Sequence, residues 1–146
     1  MLKDKIIIYT DGGARGNPGP AGSGAVITDS AGKILKEVHK ALGVATNNIA
    51  EYNGVLIGLE ALKKMFGKEK LAHIEIEVRM DSELVVKQMN GIYKVKDANL
   101  KLLFADICSM RAAHFPHLKF THIPREKNKE ADRMSNIAMD ESEKLI

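Results

Sequence analysis

The feature that most restricts the folding of this chain is an unbroken apolar run, Ile6-Ile7-Ile8-Tyr9, that ends on Thr10-Asp11-Gly12-Gly13. A strand with one wet face alternates apolar and polar residues. A run without alternation belongs to a strand covered on both faces. Residues 6–11 therefore read as a central strand of a layered α/β structure, with an acid at the strand's carboxyl end.

The other elements are placed around that strand. The segment GGARGNPGPAGSG over residues 12–24 reads as a glycine- and proline-rich turn. Residues 25–28 and 33–39 read as two further strands, joined by the turn signal Asp29-Ser30-Ala31-Gly32. Apolar spacing becomes helical over residues 48–66. It alternates again over residues 74–80, with Ile74, Ile76, Val78 and Met80 on one face. Ser82 caps a short helix to Met89, stopped by Asn90-Gly91. Residues 97–113 read as a helix opened near Asn99, and 118–123 as a strand stopped by Pro124. A last helix starts at the cap Asn128 and carries Ala131, Met134, Ser135 and Ala138 along one side.

The order is βββαβααβα. Three leading strands suggest an antiparallel meander, and helical crossovers bring in the later strands, which gives a mixed sheet. No repeat, low-complexity tract or linker interrupts the sequence, so residues 1–146 are expected to form a single domain.

Composition limits the functional classes. A net charge of +3 permits a nucleic-acid partner without demanding one. The single cysteine, Cys108, excludes an internal disulfide and a cysteine-rich metal cluster. It falls among Leu103, Phe104 and Ile107, so a buried inert thiol is expected. The start MLKDKIIIYTDGG has too short an apolar run for a signal peptide, and no segment approaches a membrane span. The expectation is a cytoplasmic protein with no membrane association.

Four acids stand out, although each has an ordinary explanation. Asp11 closes a covered strand, where an Asp-Gly turn would also place an aspartate. Asp81 ends a strand and precedes a helix, where it could complement the helix dipole. Both nevertheless lie at carboxyl ends of strands, where open α/β sheets hold their ligands. Glu51 shares a helix face with Val55, Gly58 and Leu62. A carboxylate on a packing face needs a partner or a metal, unless it simply lies in the helix's first turn. Asp132 falls near the start of the last helix, where dipole complementarity alone would suit it. The glycine-rich segment does not follow GxGxxG, and no Gly-Lys-Ser/Thr completes a P-loop.

The contexts of these acids are TDGG (10–13), TNNIAEYNG (46–54), MDSELV (80–85) and PREKNKEADRMSN (124–136). In these words, order and spacing the sequence resembles type 1 ribonuclease H nearly end to end. The resemblance implies the ribonuclease H-like fold, a five-stranded mixed sheet flanked by helices. It implies an endonuclease that hydrolyses the RNA strand of an RNA–DNA hybrid, leaving 5′-phosphate and 3′-hydroxyl ends. Asp11, Glu51, Asp81 and Asp132 match the family's metal-binding acids. Two Mg²⁺ ions are implied, with Mn²⁺ able to substitute. Hard Mg²⁺ takes oxygen ligands, and two ions about 4 Å apart suit an in-line displacement at phosphorus. By the same resemblance Asp11 bridges both ions, Asp132 serves the nucleophile side, and Glu51 and Asp81 the leaving-group side.

Substrate contacts follow the same route. The backbone at Gly12 and Gly13, within residues 12–16, matches the segment that approaches the RNA strand. Asn47 and Asn48 match polar residues near the minor groove, and Thr46 a DNA-phosphate contact; loop and cap chemistry would also account for all three. Asn17 and Gln88 are further candidates for this surface.

Two departures from the family pattern matter. Many relatives carry a loop histidine before the last helix; here the connection is short and no residue clearly corresponds. His122 is assigned to the last strand as a core or edge residue. Arg125 is the candidate substitute, unless it merely pairs with Glu126 or Glu130. The second departure is a compact form, without the basic handle some members insert around residues 90–100 and without a separate hybrid-binding module. Weaker, more salt-sensitive binding is expected. No obligatory protein partner is evident, and a monomer is expected. The alternatives are a hybrid-binding protein with little catalysis, or a nuclease of the same fold acting on DNA or double-stranded RNA. All four acids being present argues against mere binding.

Overall fold

The computed structural model describes residues 4–146. Its sheet has five strands in the order β3-β2-β1-β4-β5. The apolar run lies in the middle strand, β1 (Asp4–Ala14), which pairs antiparallel with β2 (Gly19–Asp29) and parallel with β4 (Ile74–Met80). Ile6, Ile7 and Ile8 are all buried, as a doubly covered strand requires. β3 (Ile34–Ala45) forms one edge, and β5 (Leu118–His122) forms the other, parallel to β4.

The two faces of β1 meet different helices. Ile6 and Ile8 belong to the main core with Val55, Leu59 and Leu62 of α1 (Asn47–Met65), Val85 of α3 (Glu83–Met89) and Ile107 of α4 (Ala98–His114). The opposite face of β1, β2 and β3 lies under α5 (Lys129–Leu145). α5 approaches closely because β2 offers glycines beneath it. A Cβ on Gly22 would stand 2.5 Å from that of Ala138, and one on Gly24 2.4 Å from that of Met134. Ser142 fastens the far end, donating to the Ala21 carbonyl at 2.5 Å and accepting from the Leu42 and Gly43 amides.

Several expected boundaries move. The glycine-rich segment is mostly strand: β1 runs on to Ala14 and β2 begins at Gly19, leaving only residues 15–18 to turn. A short helix, α2 (Lys68–Leu71), lies between α1 and β4, and a 3₁₀ turn, Arg125–Lys127, precedes α5. Ser82 caps α3, but α4 is capped by Asp97, whose carboxylate accepts from the Asn99 and Leu100 amides. Asn128 does not cap α5 through its side chain. It is buried and donates instead to the Thr10 carbonyl at 2.8 Å. Cys108 is exposed rather than buried, because α4 turns Leu100 and Ile107 inward. Among the described residues no helix is long and apolar enough to cross a membrane.

Candidate active site

The parallel strands β1, β4 and β5 bring their carboxyl ends to one edge of the sheet. Asp11 lies within β1 just beyond its last pairing with β4, Asp81 follows β4 directly, and His122 closes β5. The start of α1 reaches this edge from one side. A Cβ on Gly12 would sit 2.2 Å from the Ala50 carbonyl carbon and 2.5 Å from the Glu51 nitrogen. Only the absence of a side chain lets the strand pass so near the helix, and that passage sets Glu51 beside Asp11.

Asp11, Glu51 and Asp81 each present a carboxylate oxygen within 4.8 Å of the other two. They line an open cleft of about 720 Å³ together with Asp132, Asn47, Asn48, Arg125, Gly12 and Gly13. Asp132, in the first turn of α5, shares this cleft but not the tight group of three. Arg125 makes no ion pair with Glu126 or Glu130 among the described residues. Glu130 bonds Arg133 instead, and the Arg125 charge acts on Glu51 and Asp81.

The electrostatics are those of crowded, partly dry acids. Burial pushes Asp11 up to about 7; repulsion from Asp81 and Asp132 adds to this, and a hydrogen bond from Ser135 opposes it. Glu51 is held well above the ordinary carboxylate range, by burial first and then by Asp11 and Asp81. Asp81 is raised by burial, against the pull of Arg125. Glu51 Oε2 is buried with no hydrogen-bond partner in the protein. A cluster of this kind binds protons or a cation. Its donors are all hard carboxylate oxygens, which suit a divalent ion such as Mg²⁺.

The remaining candidates divide. Asn48 lines the cleft; Asn47 lines it too, with its Oδ1 accepting from the Ala14 amide at 2.8 Å. Thr46 and Asn17 stand back from it. Thr46 Oγ1 accepts from the Ile49 amide as the cap of α1, and Asn17 Oδ1 accepts from the Asn47 amide at 3.0 Å. Gln88 is placed elsewhere: it is buried inside the protein, where its Oε1 accepts from the Tyr52 hydroxyl. Sequence reading passed over Arg15, Ser82, Asn136 and Met139, which also line the cleft. His122, read as a core or edge residue of the last strand, ends the edge strand β5, where it is exposed and lines the cleft. The signal for His122 was available: it ends a strand at the same edge as Asp11 and Asp81.

The chain is similar to proteins of known family and structure. A family model described as reverse transcriptase-like matches residues 9–138. Bifunctional protein Rv2228c of Mycobacterium tuberculosis is 44% identical over 137 residues, 93% of this chain, and the chain spans only 36% of that relative's length. Ribonuclease HI of Halobacterium salinarum is 37% identical over 94% of this chain and 66% of its own length. Among solved structures, LC11-RNase H1 in complex with an RNA/DNA hybrid superposes with a TM-score of 0.89 at 55% identity, covering 94% of this chain and 98% of the other.

Proposed function

Because the chain belongs to the ribonuclease H family, we propose that it is a metal-dependent endonuclease that hydrolyses the RNA strand of an RNA–DNA hybrid, leaving 5′-phosphate and 3′-hydroxyl ends. One observation carries the reading. Three carboxylates from β1, α1 and the end of β4 converge within 4.8 Å, and one of them keeps a buried oxygen without a protein partner. A binding surface alone has no use for such a cage, which is costly to assemble without a cation.

In this reading Asp11, Glu51 and Asp81 would hold a divalent ion such as Mg²⁺, and Asp132, in the same cleft but apart from that group, would help hold a second. When bound, the ions supply Lewis-acid activation of water and neutralise charge on the phosphate and the departing oxygen. The chain's own groups do the rest. Gly12 and Gly13 line the cleft and would present their backbone to a sugar–phosphate strand; the missing side chain of Gly12 makes room for α1, and only that of Gly13 leaves space on the cleft side. Asn48 and Asn47, which line the cleft, would test for 2′-hydroxyls, by which RNA differs from DNA. Arg125, exposed at the cleft, offers the phosphate a guanidinium fork. His122 stands at the same mouth, where an imidazole can hold or pass a proton. All of these groups come from one chain, so the site needs no residue from a second copy, and the proposal keeps a monomer. A single sheet with its helices over the described residues 4–146 supports the reading of residues 1–146 as one domain, and a single thiol suits a cytoplasmic setting.

The test is cleavage of an end-labelled hybrid with Mg²⁺ or Mn²⁺, comparing wild type with Asp11→Asn. Duplex DNA and double-stranded RNA are run alongside. Hybrid-restricted cleavage that disappears in the variant is the expected result. Equal cleavage by both proteins would remove Asp11 from the chemistry. Failure of both to cut, with the hybrid still bound, would replace the nuclease by a binding protein.

A further inference from the structure

Asp11 pairs across the sheet with Gly24. The missing side chain at Gly24 leaves a gap beside the acid, and α5 fills it: a Cβ there would stand 2.6 Å from the Ser135 nitrogen. Ser135 lies one turn beyond Asp132 and is fully buried. Its hydroxyl reaches Asp11 Oδ2 at 2.7 Å and the Asp132 carbonyl at 2.9 Å.

A hydroxyl has one proton to give. The Asp132 carbonyl already accepts from Asn136 Nδ2 at 2.9 Å, and it also lies at the usual position for a helix hydrogen bond. With a cation held at the site the carboxylate is charged, and a charged acceptor makes the stronger bond. No water competes at a fully buried site. The proton therefore belongs to Asp11.

We infer that Ser135 is a positioning residue for the cation site: its hydroxyl fixes the rotation of the Asp11 carboxylate, so that the remaining lone pairs face Glu51 and Asp81. The inference rests on the metal-site reading above and adds a contact from outside the four acids. α5 then serves the site twice, bringing Asp132 into the cleft and holding Asp11 still. Glu51, the neighbouring acid of the same group, has an oxygen with no such partner, so Ser135 supplies order to one member of the set.

The experiment is a Mn²⁺ titration of the full chain, followed by the electron paramagnetic resonance signal of the free ion, for wild type, S135A, S135C and S135T. Kinetics on the hybrid and thermal melts are measured on the same samples. Removing the hydroxyl in S135A and S135C should weaken Mn²⁺ binding about fivefold or more and lower kcat with KM unchanged. S135T, which keeps the hydroxyl, should stay within about twofold of wild type. S135C keeps nearly the native volume, so it still reads the site if S135A or S135T folds poorly. Unchanged Mn²⁺ affinity in S135A and S135C overturns the inference. So does a loss in all three variants that simply follows their melting temperatures, since that marks a packing role. A wild type that binds Mn²⁺ but does not cut the hybrid would defeat the proposed activity and leave the Ser135 assignment standing.

Discussion

Glu77 is buried on β4 on the face opposite the main core, and it is the acid most strongly fixed by partners. Burial alone would raise it. Hydrogen bonds from Thr121, Arg79 and Lys5 outweigh that and hold it at about 2, below its ordinary 4.5. The Lys5 and Arg79 contacts are 3.0 and 3.1 Å. A depressed carboxylate stabilises the fold above its unfolded value, and the contribution drains away as pH falls from about 4.5 towards 2. Because Lys5 and Arg79 are each 30% exposed, screening limits the effect to about 2 kcal/mol. Urea unfolding between pH 6 and pH 3 should show this loss in wild type and a flatter profile in Glu77→Gln. Identical profiles would mean the network contributes nothing. Gln88 makes a second case. Replacing it with leucine strands the Tyr52 hydroxyl, which burial already pushes up to about 12. The expected cost is about 1–3 kcal/mol, with KM for the hybrid unchanged. A raised KM with intact stability would return Gln88 to the substrate surface.

Among the elements, the register of α5 on the sheet decides whether the acids meet. Gly24→Ala would drive a Cβ to 2.4 Å from the Met134 Cβ and 2.8 Å from the Ala131 carbonyl oxygen. Helix backbone cannot give way cheaply there, so the helix must lift. The expected loss is about 2 kcal/mol or more by overpacking, together with a fall in kcat as Asp132 and Ser135 move away. A melt and a hybrid-cleavage rate on the same sample would check it, and full activity at unchanged Tm would refute the packing argument. This helix also shows what sequence could and could not disclose. Its apolar side, Ala131, Met134 and Ala138, is readable from spacing, as is the central strand from residues 6–9. The role of glycine beneath it is not. Gly22 and Gly24 look like turn residues in a sequence, whereas here they are strand positions emptied to admit a helix. Asn128 occupies the cap position read from the sequence, but its side chain makes no cap bond because it turns inward to the Thr10 carbonyl. Thr46 and Asn17 were equally ambiguous, since cap, loop and phosphate contact draw on the same polar side chains. The four acids were legible because their motifs recur in order. The exclusion of Asp132 from the tight group is a matter of distance, which no motif carries.

At the scale of the whole molecule, substrate affinity turns on how little positive charge faces the cleft. The net charge is only +3, and much of it is occupied or placed elsewhere. Arg15 is tied to Asp140 and Glu143, Lys87 to Glu83, and Arg133 to Glu37 and Glu130. Lys63, Lys64, Lys68 and Lys70 cluster at the end of α1 and on α2, at the other end of α1 from Glu51. No helix intervenes over residues 90–97 between α3 and α4 to carry a basic grip. Arg125 and Lys129, flanking Asp132, remain the cations nearest the chemistry. With about two phosphates neutralised by Arg125 and Lys129, log K should fall with log salt at a slope near −1.8, or roughly a 12-fold loss of affinity from 50 to 200 mM salt. Binding of a hybrid to Asp11→Asn, measured by fluorescence anisotropy across that range, reads the slope without cleavage. Arg125→Ala should weaken binding at low salt and make the slope shallower by about one. A slope near zero with tight binding would show that hydrogen bonds and shape, rather than charge, hold the substrate, and would move the weight of recognition to Asn47, Asn48 and the bare backbone at Gly12 and Gly13.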